Sequence, residues 1–492
     1  MNDSKSPRHL MGQAVRGGAM LLAAKFAMQV FSWAVTLSVP RLIGARDYGV
    51  MTWGLIFLGL SEILAEAGLG RALVQQRHSN PADRGRVFTL GLMLAGSLYG
   101  VLYFSAEMIA SLIHMPEFAF FLQVMALCLW AVPFRCVSLA ILDREQRLGS
   151  QATAHVLMAG SQATMVLVLA LYHFGYWSLA IGAMVGKVVE TVVLSIAAQE
   201  RPHLRWPGIE SGPLVTFGLS AAGSTLLWFV YDNADFAIVG WMFGTQTLGL
   251  YSLAFLLMTL PVQKLTANVN QIVYPVFCRL QDNRPLLSSW FLRLSSFIGL
   301  VGVPALVGMA LVIDDTIAVV YGPGWSGAVL PFRVLAFVGV VRLYAAMLPP
   351  LYMAVGRPDV NLQYTASCLV VMPLAFVVGG SVAGLLGVCL AWLLVYPLTV
   401  AGLVVCTRSL LGFGLKQFLV NQIPLFGATL SMTGMVLLTR LWLEPGPERL
   451  VLSIFAGFVT YAWLAITVIR NTLGANVQAL WSELTGRVGA KL

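Results

Sequence analysis

Residues 382–405 read VAGLLGVCLAWLLVYPLTVAGLVV and contain no charged side chain. An apolar run of about twenty residues is long enough to cross the roughly 30 Å hydrocarbon core of a bilayer as an α-helix. Comparable runs recur along the whole chain of 492 residues. The sequence therefore predicts an all-α polytopic membrane protein with about fourteen transmembrane helices.

The composition excludes several other classes of protein. Apolar residues make up 58% of the chain and charged residues only 10%, whereas a soluble domain has about 45–50% and about 25%. A soluble enzyme, a secreted domain and a disordered chain are therefore ruled out. The six cysteines form no C-x-x-C pair, so the sequence indicates neither a disulfide framework nor a zinc site, and we predict no metal.

The basic residues orient the predicted helices. With the N-terminus placed in the cytoplasm, twenty of the thirty Lys and Arg fall in cytoplasmic segments and four in outer segments. This bias follows the positive-inside rule and predicts that both termini are cytoplasmic. The net charge of +9 is then explained by topology and by contact with membrane lipids, so we predict no nucleic-acid partner.

Two pairs of turns resemble each other along the chain. Gly44 and Gly49 match Gly244 and Gly249 at an offset of 200, and Phe174-Gly175 echoes Ala383-Gly384 at an offset of 209. Each echo joins predicted spans that are six apart, which favours two parallel six-helix lobes, an architecture typical of transporters. The predicted domains are an N-terminal lobe (1–213), a C-terminal lobe (214–410), and two additional helices with an amphipathic cytoplasmic tail (411–492).

Residues 41–49 (RLIGARDYG) and 65–75 (AEAGLGRALVQ) carry a resemblance to a known family. They resemble the first hairpin of lipid-linked oligosaccharide flippases, the O-antigen and colanic-acid type exporters of the multidrug/oligosaccharidyl-lipid/polysaccharide superfamily. Further short motifs occur in the matching order: FGLS (217–220), LGLY (248–251), YPVF (274–277), RLQD (279–282) and GRPD (356–359).

The resemblance implies a V-shaped cavity between two lobes that opens alternately to each side of the bacterial inner membrane. It implies a polyprenyl-pyrophosphate-linked glycan as substrate, moved from the cytoplasmic to the periplasmic leaflet. The product would feed a surface polysaccharide such as exopolysaccharide, lipopolysaccharide O-antigen or capsule. A polysaccharide polymerase and the chain-length machinery are the protein partners to be expected in such a pathway.

Cationic side chains inside the spans are the candidates for binding the pyrophosphate headgroup. An ionisable residue in a span costs about 2.5–3.5 kcal/mol on insertion scales, so it usually faces the protein interior or water. Lys25, Lys264 and Arg342 lie near the middle of their predicted spans, and Arg135 follows a proline nearer the cytoplasmic side. The alternative is that each cation pairs with an interior carboxylate and only holds helices together.

Carboxylates inside the spans are the candidates for ion coupling, and we predict no other cofactor than H⁺ or Na⁺. Glu62 and Glu66 share one face of a helix, where two carboxylates at low dielectric tend to hold one proton between them. Asp235 is a further candidate. The alternative is that each carboxylate balances an interior cation. Lys187 and Glu190, three residues apart, are expected to pair within their helix.

Two other functions remain open at this point. A multidrug or cation antiporter of the same superfamily would have an aromatic, acidic cavity without cations at mid-depth. A membrane-embedded polymerase or ligase would need catalytic residues outside the bilayer. Asp314-Asp315, which we place in a short outer loop, has no histidine nearby and the chain has no phosphate-binding loop. We therefore predict a transporter without catalytic residues.

Overall fold

A computed structural model describes residues 28, 31–32, 34–76, 80–199, 203–206, 208, 212–411 and 415–468. Most of these residues are helical, and none of them is in a β-strand. Numbered in chain order, the helices are α1 (Ala34–Ile43), α2 (Ala45–Glu66), α3 (Leu69–Gln75), α4 (Pro81–Leu112), α5 (Phe118–Met125), α6 (Val132–Arg144), α7 (Leu148–Leu171), α8 (Tyr176–Ala198), α9 (Gly212–Leu280), α10 (Arg284–Thr316), α11 (Val329–Ala345), α12 (Leu348–Ala354), α13 (Pro358–Leu411), α14 (Leu415–Trp442) and α15 (Pro447–Val468). The predicted amphipathic tail lies outside the described residues.

Eleven helical segments of the described ranges are long and apolar enough to cross a membrane. Two of them, Thr216–Ala267 and Pro358–Thr407, are more than twice the length of about twenty residues that one crossing requires. Both contain a break in the helical dihedral angles, at Gly244 in α9 and at Ala383-Gly384 in α13. The all-α polytopic fold is confirmed, and the number of fourteen crossings stays a prediction.

The predicted repeat is visible in the backbone of its turn glycines. Gly44 has φ 86° and ψ 161°, and Gly244 has φ 79° and ψ 176°. Gly175 has φ 57° and ψ −135°, and Gly384 has φ 60° and ψ −145°. These conformations are open to glycine and strained for other residues. Both sequence echoes therefore mark the same kind of turn in the two halves of the chain.

The chain up to Gly249 forms one compact unit. Within it, α2 touches the short stretch of α9 that runs from Thr245 to Gly249, backbone to backbone. A Cβ atom on Gly49 would collide with the carbonyl of Thr245, and a Cβ atom on Gly249 would collide with the carbonyl of Ala45. Gly49 and Gly249, the equivalent glycines of the repeat, thus allow the two backbones to approach each other closely. A larger residue at either position would prevent this contact.

Residues from Leu250 onwards form a second compact unit. Its core is aromatic, with Trp325, Phe332 and Trp392 almost completely buried. Helices α14 and α15 pack against each other and against α10, so the predicted additional pair belongs to this unit. The domain limits that the sequence predicts, at 213/214 and 410/411, stay predictions. The compact units divide elsewhere, between Gly249 and Leu250.

Asp314 and Asp315 are helical, and their placement in an outer loop was wrong. Helix α10 continues to Thr316 and is followed directly by a π-helical turn, Ile317–Tyr321. Arginines from neighbouring helices form ion pairs with the two carboxylates, and this pairing allows the carboxylates to lie in an apolar helix. Arg333 and Arg440 contact Asp314 at 2.5 and 2.7 Å, and Arg449 contacts Asp315 at 2.5 Å.

Candidate functional site

The structure describes six of the seven predicted site residues, and Lys25 lies outside the described part of the chain. Four of the six belong to the first compact unit: Glu62, Glu66, Arg135 and Asp235. Lys264 and Arg342 belong to the second unit. The two sets are therefore considered separately.

Glu66 stands at a break between two helices of the first unit. Helix α2 ends there because Ala67 and Gly68 take left-handed φ angles of 44° and 65°, after which α3 begins. The Glu66 Oε2 atom lies 3.6 Å from Nη2 of Arg135 on α6, and each side chain is about one-third exposed. A candidate for ion coupling and a candidate for headgroup binding therefore form one ion pair.

Glu62 lies one helical turn before Glu66 and forms a second ion pair, with Lys187 of α8. Lys187 thus bonds to a different helix and does not make the expected pair with Glu190. Each carboxylate of the predicted dyad has a cation of its own, which matches the alternative in which acids balance interior cations. Ion coupling through Glu62 or Glu66 stays a prediction.

Glu190 has a partner that the sequence reasoning missed. It is 5% exposed, and its Oε1 atom lies 3.1 Å from Nδ1 of His155 on α7. His155 is the only histidine within the α7 sequence, and a titratable residue in an apolar span was the signal that pointed to it. Its partner could not be identified from spacing, because α7 and α8 meet through tertiary packing.

Asp235 is completely buried within α9. Its Oδ1 atom accepts a hydrogen bond from the backbone N–H of Phe236 at 2.9 Å. A buried charge is expensive unless it is hydrogen-bonded or paired. The position is therefore suited to a carboxylate that changes its protonation or binds an ion, and this role stays a prediction.

Arg342 of α11 is half-buried among aromatic rings in the second unit. Its guanidinium carbon lies 4.8 Å from the ring centre of Trp392 and 5.1 Å from that of Phe255. The Tyr251 hydroxyl accepts a hydrogen bond from the Trp392 indole at 3.0 Å and so fixes this ring. Cation–π contacts of this kind contribute about 0.5–2 kcal/mol each. The rings hold the guanidinium in place and leave its charge intact.

Lys264 lies on α9 of the same unit, and its side chain is exposed. An exposed lysine is accessible to a charged headgroup, which is one requirement for binding it. Among the residues that the structure describes, no group of three or more His, Cys, Asp or Glu side chains is arranged to hold a metal ion.

Comparison with known sequences gives the family. A family model described as "Polysaccharide biosynthesis protein" matches residues 39–330, more than half of the chain. The chain belongs to the polysaccharide biosynthesis protein family. The match includes the motifs at 41–49 and 65–75, so the resemblance that these motifs indicated is confirmed.

Relatives within the polysaccharide biosynthesis family match most of the chain at low identity. The lipopolysaccharide biosynthesis protein WzxC of Escherichia coli (strain K12) is 24% identical over 78% of this chain and 78% of its own length. The teichuronic acid biosynthesis protein TuaB of Bacillus subtilis (strain 168) is 23% identical, covering 84% and 86%. The succinoglycan biosynthesis transport protein ExoT of Rhizobium meliloti (strain 1021) is 24% identical, covering 88% and 89%.

Solved structures show which fold this family member has. The lipid II flippase MurJ in an inward closed conformation matches with a TM-score of 0.75, at 14% identity, over 92% of this chain and all of its own. An inward-facing multidrug resistance MATE family transporter of the MOP superfamily matches with a TM-score of 0.61, at 14% identity, over 79% and 98%. The chain therefore has the MurJ/MATE fold, and the eleven apolar helices of sufficient length in its described ranges make it a multi-pass membrane protein.

Proposed function

We propose that this protein is a flippase that moves a polyprenyl-pyrophosphate-linked oligosaccharide from the cytoplasmic to the periplasmic leaflet. The oligosaccharide would serve the assembly of a surface polysaccharide. The proposal places the chain in the bacterial inner membrane with both termini in the cytoplasm. Family membership and relatives named for polysaccharide biosynthesis and transport support it.

The observation that carries the proposal is a set of partly exposed cations inside apolar helices: Arg135, Lys187 and Arg342. A side chain that must remain charged and partly open within a bilayer-length helix requires a polar surrounding. A pyrophosphate also needs cations and hydrogen-bond donors while its lipid tail stays in hydrocarbon. The multidrug antiporter stays the alternative, because Glu66 and Glu62 balance the charges of Arg135 and Lys187.

Arg342 is our first candidate for the headgroup contact. Its planar guanidinium can stack on Trp392 and still donate hydrogen bonds along its edge to a phosphate. Lys264 and Lys25 are further candidates, and Arg135 is a candidate whose bond to Glu66 would first have to open. Alternating access of two lobes, coupled to H⁺ or Na⁺, would move the bound headgroup across the membrane.

The sequence offered Asp314 and Asp315 as the residues to consider for an enzymatic function, and their contacts do not support one. Asp314 and Asp315 form ion pairs with Arg333, Arg440 and Arg449, so in this structure both carboxylates join neighbouring helices. We propose that the protein works beside a polysaccharide polymerase and its chain-length machinery and is not itself a polymerase or ligase.

Deletion of the gene tests the proposed function. We expect lipid-linked oligosaccharide to accumulate in the deletion strain and to stay inaccessible to a glycan-modifying reagent applied from the periplasmic side. Expression of the wild-type chain should restore access and surface polysaccharide. Accumulated oligosaccharide that is already accessible from the periplasm would show that this protein acts after flipping.

A further inference from the structure

Glu190 is an almost completely buried carboxylate whose neighbour can change its charge. The structure places the Glu190 Oε1 atom 3.1 Å from Nδ1 of His155, and the His155 side chain is 57% exposed. Histidine is the side chain that ordinarily gains or loses a proton between about pH 5 and about pH 8. The pair therefore combines a buried acid with a base that has access to the surface.

Among the described residues of the surrounding helices, the charges around this pair are balanced when His155 carries a proton. The described middle parts of α2, α6, α7 and α8 contain three carboxylates and two permanent cations, namely Glu62, Glu66, Glu190, Arg135 and Lys187. Protonated His155 supplies the third positive charge. Two more titratable or charged groups lie on other elements that pack against α7 and α8. They are the Cys128 thiol and Arg41, which is near the C-terminal end of α1.

We infer that His155 and Glu190 form a proton-binding site that decides which carboxylate Lys187 contacts. With the proton bound, imidazolium and Glu190 form an ion pair, and Lys187 stays on Glu62. When the imidazole releases its proton, Glu190 loses the positive charge that it contacts in this structure. Lys187 stands three residues earlier on the same helix, within reach for an ion pair at that spacing, and moves from Glu62 to Glu190.

The switch changes which helices are tied together. In the protonated state Lys187 joins α8 to α2, and His155 joins α7 to α8. In the deprotonated state the Lys187–Glu190 pair lies within α8, and the link to α2 is open. Both residues of the proton site lie about 10 Å from the predicted cytoplasmic ends of their helices, so the proton would exchange with the cytoplasmic side.

The site itself can be tested on the purified full-length protein in nanodiscs, by infrared difference spectroscopy between about pH 8 and about pH 5. We expect an imidazole protonation signal that His155→Gln removes and that Glu190→Gln moves to a different pH. His173→Gln, in the exposed turn between α7 and α8, is the matched control and should leave this signal unchanged. A His155 signal at the same pH with and without Glu190 would overturn the inference.

The consequence for transport rests on the proposed function and is measured separately, in vesicles of phosphatidylethanolamine and phosphatidylglycerol with a fluorescent polyprenyl-pyrophosphate-linked sugar. We expect a pH gradient to raise the wild-type flipping rate by about fivefold or more, the lower end of usual coupling between sites. In His155→Gln and in His155→Lys, which keeps a permanent charge, the ratio of the flipping rate with the gradient to the rate without it should fall to about one.

The outcomes of the two measurements separate the two proposals. A wild-type ratio of one, or an unchanged ratio in His155→Gln, would overturn the coupling role of this site. If wild-type vesicles flip no probe under any gradient, the proposed function fails, and the spectroscopic titration alone decides whether the proton site exists.

Discussion

At the scale of single residues, the arrangement of charge is the main feature of this protein. Arg342 is held by the faces of Trp392 and Phe255, whereas Lys187 and Arg135 are held by carboxylates from another helix. Ring faces position a guanidinium without neutralising its positive charge, and a guanidinium can donate several hydrogen bonds at once. These aromatic contacts make Arg342 our first candidate for headgroup binding.

Replacing Arg342 should reduce flipping without unfolding the protein. A charge-assisted hydrogen bond contributes about 1.5–3 kcal/mol, so Arg342→Gln should lower the flipping rate about tenfold or more. Arg342→Lys should keep part of the activity, because the charge remains but the planar stack is lost. Initial flipping rates in vesicles provide the measurement, and Arg284→Gln, exposed at the start of α10, is the control. Equal rates for Arg342→Gln and Arg284→Gln would refute the assignment.

Breaking the Glu62–Lys187 pair should destabilise the first unit. Lys187→Met leaves a carboxylate without its cation inside an apolar helix. We expect a loss of about 2 kcal/mol, below the 3–5 kcal/mol of a fully buried pair, because both side chains are partly exposed. Thermal unfolding in detergent measures the loss.

Two variants serve as controls for the Glu62–Lys187 experiment. The exchanged pair Glu62→Lys with Lys187→Glu should recover most of the stability, since the attraction is restored. Arg46→Ala, which breaks the exposed Arg46–Glu117 pair, should cost less than about 1 kcal/mol. An exchanged pair as unstable as Lys187→Met would show that packing, and not charge, holds these side chains.

At the scale of helices, glycine turns and arginine contacts determine where elements begin and how they are joined. Gly244 and Gly384 have φ angles of 79° and 60°, and nothing lies within 4 Å of a Cβ atom built on either. Substitution there would strain the backbone without a clash. Their role in the structure is therefore conformational.

The turn glycines should be sensitive to alanine although there is space for it. Gly244→Ala and Gly384→Ala should each cost about 1–3 kcal/mol from the unfavourable φ angle. Gly427 also has open space around it but lies inside α14 with ordinary helical φ, so Gly427→Ala should gain about 1 kcal/mol. Unfolding temperatures of the three variants test this, and a stabilising effect at Gly244 or Gly384 would contradict the account.

The contact between α15 and α10 should depend on one buried ion pair. Asp315 is 2% exposed, and Arg449 donates to both of its oxygens at 2.5 and 2.9 Å. Arg449→Met leaves the acid without its cation and should cost about 3–5 kcal/mol, whereas the apolar double variant Asp315→Leu with Arg449→Met should recover most of this loss. Chemical unfolding curves provide the measurement. A double variant no more stable than Arg449→Met would disprove the role of the pair.

At the scale of the whole molecule, the sequence predicts the elements well and their partners poorly. Apolar runs of bilayer length and glycine turns are local signals, so the helices and the equivalence of Gly44 with Gly244 could be predicted. The partner of a charged side chain depends on which helices pack together. For this reason the pairing of Lys187 was predicted incorrectly and the Glu190–His155 pair was missed. The end of α10 was also misplaced, because Asp314 and Asp315 look like loop residues until Arg440 and Arg449, more than a hundred residues later, neutralise them.

The central claim is that this chain alone moves a lipid-linked glycan across a bilayer. The most direct measurement is the sidedness of a fluorescent polyprenyl-pyrophosphate-linked sugar in vesicles, with and without the purified protein, read by quenching from outside. We predict that wild-type protein exposes inner-leaflet probe to the quencher within the assay and that Arg342→Gln does so about tenfold more slowly or worse. Equal quenching in protein-containing and protein-free vesicles would contradict the account.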